Sequence, residues 1–393
     1  MIKKILISLL FVYIIFADII ISVLEINSLK SILSALIFFL TFIYFSINYK
    51  KLIFKQFIIV PIFLIVVFIL IWKDLGYINL FYTTIFGYIL AQDYSFSKRM
   101  LLFTSIIQLI LTLYEKITLS VIYTKVVSGV VNKNSYDYGK SFELFDATGF
   151  RPKGLFPGTL IGTSFIIYLA MFYRNNIRIL LLLFASAIII NGRLATIIVG
   201  FTLLLRIFKK YDIIIIDKIG LIQKQLFYII PVILLFLLFY VITPEVILNN
   251  FLNTFDFNSM ANAGRIYAYG QSLLLFISYT PIEKLFGSPG NEVFDIYDRL
   301  IASESGVISM FLDIGIVGFL YYLYYFILVF KIDKSSFFNF KSKYIGLKYV
   351  VIVTFLSFFQ YEHINGNLRG TLFWFMIISI FYKFKISKSY NII

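Results

Sequence analysis

Arg193 sits in FASAIIINGRLATIIVGF (residues 184–201), an apolar run with Asn191, Gly192 and Arg193 in its middle. A guanidinium stays charged at any relevant pH and grips phosphate oxygens through paired N–H donors. Arg151, Arg265 and Arg369 lie in polar stretches between other apolar runs, as do Glu304 and His363. Arginines converging on one cavity suit a phosphate or diphosphate, and a carboxylate or imidazole beside them could take a proton from a hydroxyl. Plainer roles stay open for each. Arg193 could snorkel or cap a helix, and Arg151 could anchor a helix end beside Pro152. Glu304 could meet a helix dipole, and His363 could be an ordinary loop residue.

The elements that must hold these groups are apolar. The chain has 393 residues, 61% of them hydrophobic and 14% charged, with a mean hydropathy of +0.93, more apolar surface than one soluble core absorbs. The apolar residues come in blocks long enough for transmembrane helices, without the alternation of barrel strands. An arginine at a bilayer centre costs about 2.5–3.5 kcal/mol even on lenient scales, so Arg193 needs a wet or protein-lined setting. The chain has no cysteine, which excludes disulfides and thiolate chemistry. No Asp-x-Asp pair or His/carboxylate cluster at ligand spacing is present, so neither metal nor cofactor is expected.

The pattern predicts an all-α polytopic membrane protein with about twelve helices, at 5–24, 31–48, 56–72, 76–92, 99–118, 154–173, 178–191, 194–208, 226–243, 306–330, 346–360 and 371–384. The whole chain, 1–393, reads as one integral membrane domain, with residues 5–24 as a retained first span. With the N-terminus cytoplasmic, the cytoplasmic connections collect Lys3, Lys4, Lys98, Arg99, Arg174, Arg178, Arg206, Lys209 and Lys210, and the positive-inside rule is obeyed. Both termini then face the cytoplasm. The net charge of +15 is thereby explained by topology, and no nucleic-acid partner is expected.

A single helix over 178–208 would be about 46 Å long at 1.5 Å per residue, too long for a core of about 30 Å. The flanking basic pairs therefore predict a hairpin whose tip is Asn191-Gly192-Arg193, short of the outer surface. Two external loops are long, 119–153 and 244–305. They carry Arg151, Arg265 and Glu304, while the last external turn, QYEHINGNLRG, carries His363 and Arg369. Asp18 and Asp313 fall within predicted spans and need partners there. Outward-facing arginines and carboxylates suit glycosyl transfer from a polyprenyl diphosphate, and equally the binding of an anionic lipid.

Four stretches carry a family resemblance. Arg151-Pro152-Lys153-Gly154-Leu155-Phe156 with Gly162 gives an Arg-x10-Gly spacing. Asn191-Gly192-Arg193 breaks two short helices. Arg265 is followed by Pro281 and Leu285-Phe286-Gly287-Ser288-Pro289-Gly290, and Ser305-Gly306 by Leu312-Asp313-Ile314-Gly315-Ile316-Val317-Gly318. In this order the chain resembles the bacterial surface-polysaccharide polymerases of the flippase-dependent (Wzy-type) pathway and the related O-antigen ligases. The ligases have a histidine where this chain has Ser303-Glu304-Ser305, which argues for the polymerase.

The resemblance implies a GT-C-like, metal-independent glycosyltransferase at the external face of the bacterial cytoplasmic (inner) membrane. It would polymerise undecaprenyl-diphosphate-linked oligosaccharide repeat units of an O-antigen or capsule. Arg193 and Arg265, with Arg151 and Arg369, would neutralise the diphosphate. Glu304, or else His363, would deprotonate the acceptor hydroxyl. Membrane lipid, a flippase and a chain-length regulator are the implied partners. The alternatives are an O-antigen ligase and a lipid-linked oligosaccharide transporter (flippase).

Overall fold

A computed structural model describes residues 2–16, 28–48, 55–73, 77–118, 145–146, 149–150, 154–156, 159–190, 192–210, 260–288, 306–332, 349–354 and 367–390. Apart from a two-residue antiparallel ladder, Phe145–Asp146 with Gly149–Phe150, the regular structure there is helical. In chain order the helices are α1 (Ile2–Phe11, continued by a π-helical turn Val12–Phe16), α2 (Ser28–Asn48), α3 (Gln56–Trp72), α4 (Tyr77–Gln92), α5 (Tyr94–Thr118) and α6 (Thr159–Phe172). They continue with α7 (Ile177–Ile189), α8 (Arg193–Lys210), α9 (Met260–Ser278), α10 (Pro281–Phe286), α11 (Gly306–Ile332) and α12 (Asn367–Tyr390). Residues 349–354 are also helical, inside the expected helix 346–360, while the expected helix 226–243 lies outside the described residues.

The expected helix 154–173 is shorter than the sequence pattern suggested. Residues 154–156 form a turn and α6 begins at Thr159, past Pro157 and Gly158. The segment 244–305 was expected as loop, yet it contains the 19-residue α9 and the short α10. The expected single helix 306–330 is broken. Gly315 stands at φ 60°, ψ −163°, outside helical space, and splits α11 in two.

Helices α4, α6 and α12 form the interior. From Phe81 to Ala91, from Gly162 to Tyr173 and from Thr371 to Phe381 every residue is buried, as expected of helices apolar on all sides. α12 packs on α4, α6 and α11, and its closest approach is to α4 at Gly87. A Cβ on Gly87 would stand 2.5 Å from Trp374 Cβ and 2.6 Å from the Phe375 nitrogen, so no larger residue fits this crossing. Trp374 is ringed by Tyr321, Tyr322 and Tyr325, with ring centroids 5.1–5.2 Å away.

The outer helices are inverted relative to a water-soluble fold. α5 buries Thr104, Ser105, Gln108, Thr112 and Glu115 while exposing Phe103 (60%), Ile110 (59%) and Ile117 (80%). α3 likewise exposes Phe63 and Leu70, and α9 exposes Leu273, Leu274 and Ile277. Among the described residues two helical runs, Tyr94–Thr118 and Met310–Val329, are long and apolar enough to cross a membrane.

Cations gather at one end of the bundle, hereafter the basic end. Lys3 Nζ donates to the Gln92 carbonyl at 3.2 Å and lies 3.8 Å from Asp93. Tyr173 OH donates to the Lys98 carbonyl at 2.8 Å, and Lys98 Nζ sits 4.1 Å above the Tyr173 ring. Arg206 Nε donates to the Asn175 carbonyl at 2.8 Å, and Gln92 Nε2 donates to Tyr382 OH. The start of α1, the α4–α5 and α6–α7 corners and the far part of α8 therefore share one level. The charge sorting of the sequence put these same segments on one side.

Candidate functional site

Two junctions of non-helical backbone lie away from the basic end. The first joins the turn 154–156 to the tip of the α7–α8 hairpin. Gly154 takes φ 61°, which glycine adopts without a Cβ penalty. Its N–H donates to Glu115 Oε2 at 2.7 Å, and the N–H of Leu155 donates to Gln108 Oε1 at 2.6 Å. Both acceptors project from α5 and are buried, Glu115 at 0% and Gln108 at 1% exposure. Their seven-residue separation is about two helical turns, which puts them on one face. Buried amides at a helix-free turn need such partners, and these side chains supply them.

The hairpin tip meets the same place. Helix α7 is capped by Asn176, whose side chain accepts from the Ile179 N–H, and ends as Ile190 N–H bonds to the Ser186 carbonyl at 3.1 Å. Gly192 N–H reaches the Ala187 carbonyl at 3.0 Å, a 6→1 bond of the kind that closes helices. The Gly192 carbonyl then accepts from the Thr196 N–H at 2.8 Å and from Thr196 Oγ1 at 3.0 Å, which starts α8. A Cβ on Gly192 would lie 2.8 Å from Thr163 Oγ1 of α6. A Cβ on Gly162 would meet Phe156, Gln108 and Ile190 at 3.4–3.6 Å. Gly154–Phe156 and Gly162 of the Arg-x10-Gly stretch and Gly192 of the Asn-Gly-Arg stretch, thirty residues or more apart in sequence, are thus one packed unit.

The second junction is built from backbone. Thr280 caps α10 in a reciprocal box with Glu283, Pro281 occupies its first turn, and Gly287 ends it at φ 72°. The Thr280 backbone N–H, then its hydroxyl, hold the Glu283 carboxyl below its ordinary pKa of 4.5. Ser288 N–H donates to the Leu312 carbonyl at 2.7 Å, beside the break in α11. A Cβ on Gly287 would fall 2.3 Å from the Asp313 carbonyl carbon, and one on Gly315 2.5 Å from the Gly287 nitrogen. The Leu-Phe-Gly-Ser and Asp-Ile-Gly stretches therefore interlock through two left-handed glycines. Phe286 carries the junction onto α3, 5.5 Å from the Phe68 ring.

Both junctions stand at a similar height. Gln108 is ten residues along α5 from Lys98, or about 15 Å. Phe68, beneath the second junction, is eleven residues along α3 from Phe57, which touches Phe381 near the basic end, so about 16 Å away.

The proposed site residues are distributed as follows. Arg193 is the first residue of α8, at the first junction, and Arg265 lies within α9, which packs on α11. The side chains of both lie outside the described residues, as do Arg151, Glu304 and His363 altogether. Arg369 is half-buried in the first turn of α12, thirteen residues and about 20 Å from Tyr382. α12 touches α6 of the first junction and α11 of the second, so Arg369 stands on the helix between them. Asp313 contributes its backbone to the second junction.

Gln108 and Glu115 did not emerge from the sequence reading. Their signal was legible: Thr104, Gln108, Thr112 and Glu115 recur every three or four residues in an otherwise apolar helix. Among the described residues no three His, Asp or Glu side chains gather as metal ligands. Comparison with known families, with curated proteins and with solved structures finds no match.

Proposed function

We propose that the chain is a polytopic membrane glycosyltransferase, with about twelve spans, that polymerises undecaprenyl-diphosphate-linked repeat units at the external face of the bacterial cytoplasmic membrane. The observation carrying this reading is the pairing of the four motif stretches into two glycine-built junctions at one height. The exposed apolar faces of α3, α5 and α9 fit lipid, where polar groups must turn inward. With the basic end at the cytoplasmic surface, the junctions begin about 15–16 Å above it and the first reaches Glu115, about 26 Å from Lys98, so both lie in the outer half of a hydrocarbon core of about 30 Å. Non-helical backbone at that depth is tolerated where it borders protein or a wet cavity, which is what a site for a lipid-borne diphosphate requires.

In this reading Arg193, at the hairpin tip, and Arg265 and Arg369 face the diphosphate. Its charge grows as the anomeric C–O bond breaks, and fixed guanidinium forks stabilise that charge. Glu304, with His363 as the other candidate, takes the proton of the acceptor hydroxyl. Arg151 presents a further cation beside the pinned turn 154–156. The broken α11 favours a second reading, a transporter of lipid-linked oligosaccharides, because many secondary transporters build their sites from interrupted helices.

Deletion of the gene separates the two. A polymerase leaves a surface glycan collapsed to single repeat units, whereas a transporter leaves no surface glycan and lipid-linked units accumulating on the cytoplasmic side. An unchanged glycan ladder refutes both. Arg193→Ala abolishes the ladder in the polymerase reading, and Arg193→Lys restores it poorly because a point charge lacks the fork.

A further inference from the structure

The polar groups buried along α5 fall into two kinds. Thr104 and Thr112 turn their hydroxyls back onto their own helix, at the Met100 and Gln108 carbonyls. Gln108 and Glu115 reach across to another segment, receiving the N–H groups of Leu155 and Gly154 at 2.6 and 2.7 Å. Two successive amides held from one helix fix the orientation of the turn 154–156 as well as its place. A buried amide or carboxyl is costly without such bonds, and apolar side chains would pack α5 more cheaply.

Gln108 also borders the hairpin. A Cβ on Gly162 would stand 3.6 Å from Gln108 Nε2 and 3.6 Å from Ile190 Cδ1. Ile190 immediately precedes Asn191-Gly192-Arg193. On the other side of the turn the Phe156 ring lies 5.1 Å from that of Phe165 in α6. The pair on α5 therefore sets how the turn stands against the hairpin tip. Arg151 comes three residues before Gly154, a reach of at most about 11 Å of chain, and Arg193 directly follows Gly192.

We propose that Glu115 and Gln108 are positioning residues for the transfer step, fixing the segment of Arg151 against that of Arg193 through the turn 154–156. The inference rests on the glycosyl-transfer reading. In that reading the acceptor hydroxyl oxygen bonds to the anomeric carbon as the C–O bond to the diphosphate breaks. The electron pair leaves on the polyprenyl diphosphate, and the hydroxyl proton passes to Glu304 or His363. Guanidinium forks help only if they already stand where that charge develops.

The test uses the full chain in neutral detergent, with lipid-linked single repeat units extracted from the gene-deletion strain as the probe. Elongation gives kcat and KM per folded molecule, the folded fraction being measured by size-exclusion chromatography. Glu115→Asp keeps the acceptor and its charge but shortens the reach by about 1.5 Å. It lowers kcat by about a hundredfold, the effect of a misplacement of that size. KM changes less than about threefold, because the forks act on charge present only in the transition state. Glu115→Gln keeps the reach and lowers kcat less than about fivefold. Combined with Arg193→Lys, Glu115→Asp costs less than the product of the two single losses, since both impair one site. Tyr321→Phe removes a buried bond of 3.1 Å to Thr84 elsewhere in the bundle and leaves kcat per folded molecule unchanged. Wild-type protein that leaves the single units unelongated, or Arg193→Ala with full turnover, overturns the transfer reading and the positioning role with it. With wild type active and Arg193→Ala inactive, undiminished kcat in Glu115→Asp overturns the positioning role alone. So does a loss in Glu115→Gln as large as that in Glu115→Asp, or a fully multiplicative loss in the double variant. Should Glu115→Asp fail to fold, Gln108→Asn shortens the other pin by the same step and lowers kcat by about tenfold or more, and unchanged turnover there overturns the role.

Discussion

The two junctions interrupt helices at the same height by opposite means. At the first, the freed amides of Gly154 and Leu155 are received by side chains, the buried Glu115 and Gln108. At the second, backbone meets backbone: Ser288 N–H bonds to the Leu312 carbonyl, and Gly287 and Gly315 leave no room for a Cβ. A side-chain pin can be exchanged for another acceptor of similar reach. A backbone interlock has nothing to exchange, because any added atom strikes main chain that cannot rotate away.

The largest effect expected from this contrast is at the second junction. Gly315→Ala combines a left-handed φ with a Cβ 2.5 Å from the Gly287 nitrogen, and costs about 3 kcal/mol or more. Thermal unfolding of the purified chain measures it, and Gly287→Ala behaves alike. Near-wild-type stability in both variants would show that the interlock is loose.

At the first junction Glu115→Ala strands the Gly154 amide and costs about 1–3 kcal/mol. Glu115→Gln keeps an acceptor and costs about 1 kcal/mol or less. Equal losses in the two variants would mean that the carboxylate's charge, rather than its acceptor oxygen, is what matters.

Gly192→Ala, against Thr163, falls between these cases because its obstacle is a side chain. It costs about 1–3 kcal/mol alone, and Thr163→Ala restores most of that, since the remaining Thr163 Cβ would stand at 3.5 Å. Additive losses in the double variant would separate the hairpin tip from α6.

The smallest effect is the pH response of the α10 cap. Glu283 has its folded pKa lowered, so the cap's contribution is fully present above the unfolded value of 4.5 and fades as pH falls through the folded one. Amide exchange at Thr280, corrected for its intrinsic pH dependence, should rise over that range and be flat in Glu283→Gln.

Much of the helical layout was legible. Helices at 56–72 and 76–92 agree with α3 and α4 to within a residue, because long apolar runs end there at charged or turn-forming residues. The hairpin over 178–208 was legible from length alone, its charged flanks being too far apart for one helix. The break at Gly315 was not. A glycine inside an apolar run keeps helical geometry or leaves it according to what packs alongside, and here α10 packs alongside. α9 was missed because its sequence, MANAGRIYAYGQSLLLFIS, mixes glycine and polar residues into its first half.

Composition, apolar run lengths and the placement of lysine and arginine determined by themselves that this chain is a helical bundle with one basic end. Those are one-dimensional quantities, and burial of apolar residues and the hydration of charge act on them directly. Which motif stretches meet, which buried carboxylate receives the Gly154 amide, and which glycine breaks its helix were decided only by the tertiary structure. Each depends on contacts between residues distant in sequence, and on the presence or absence of a single atom at the point where two backbones touch.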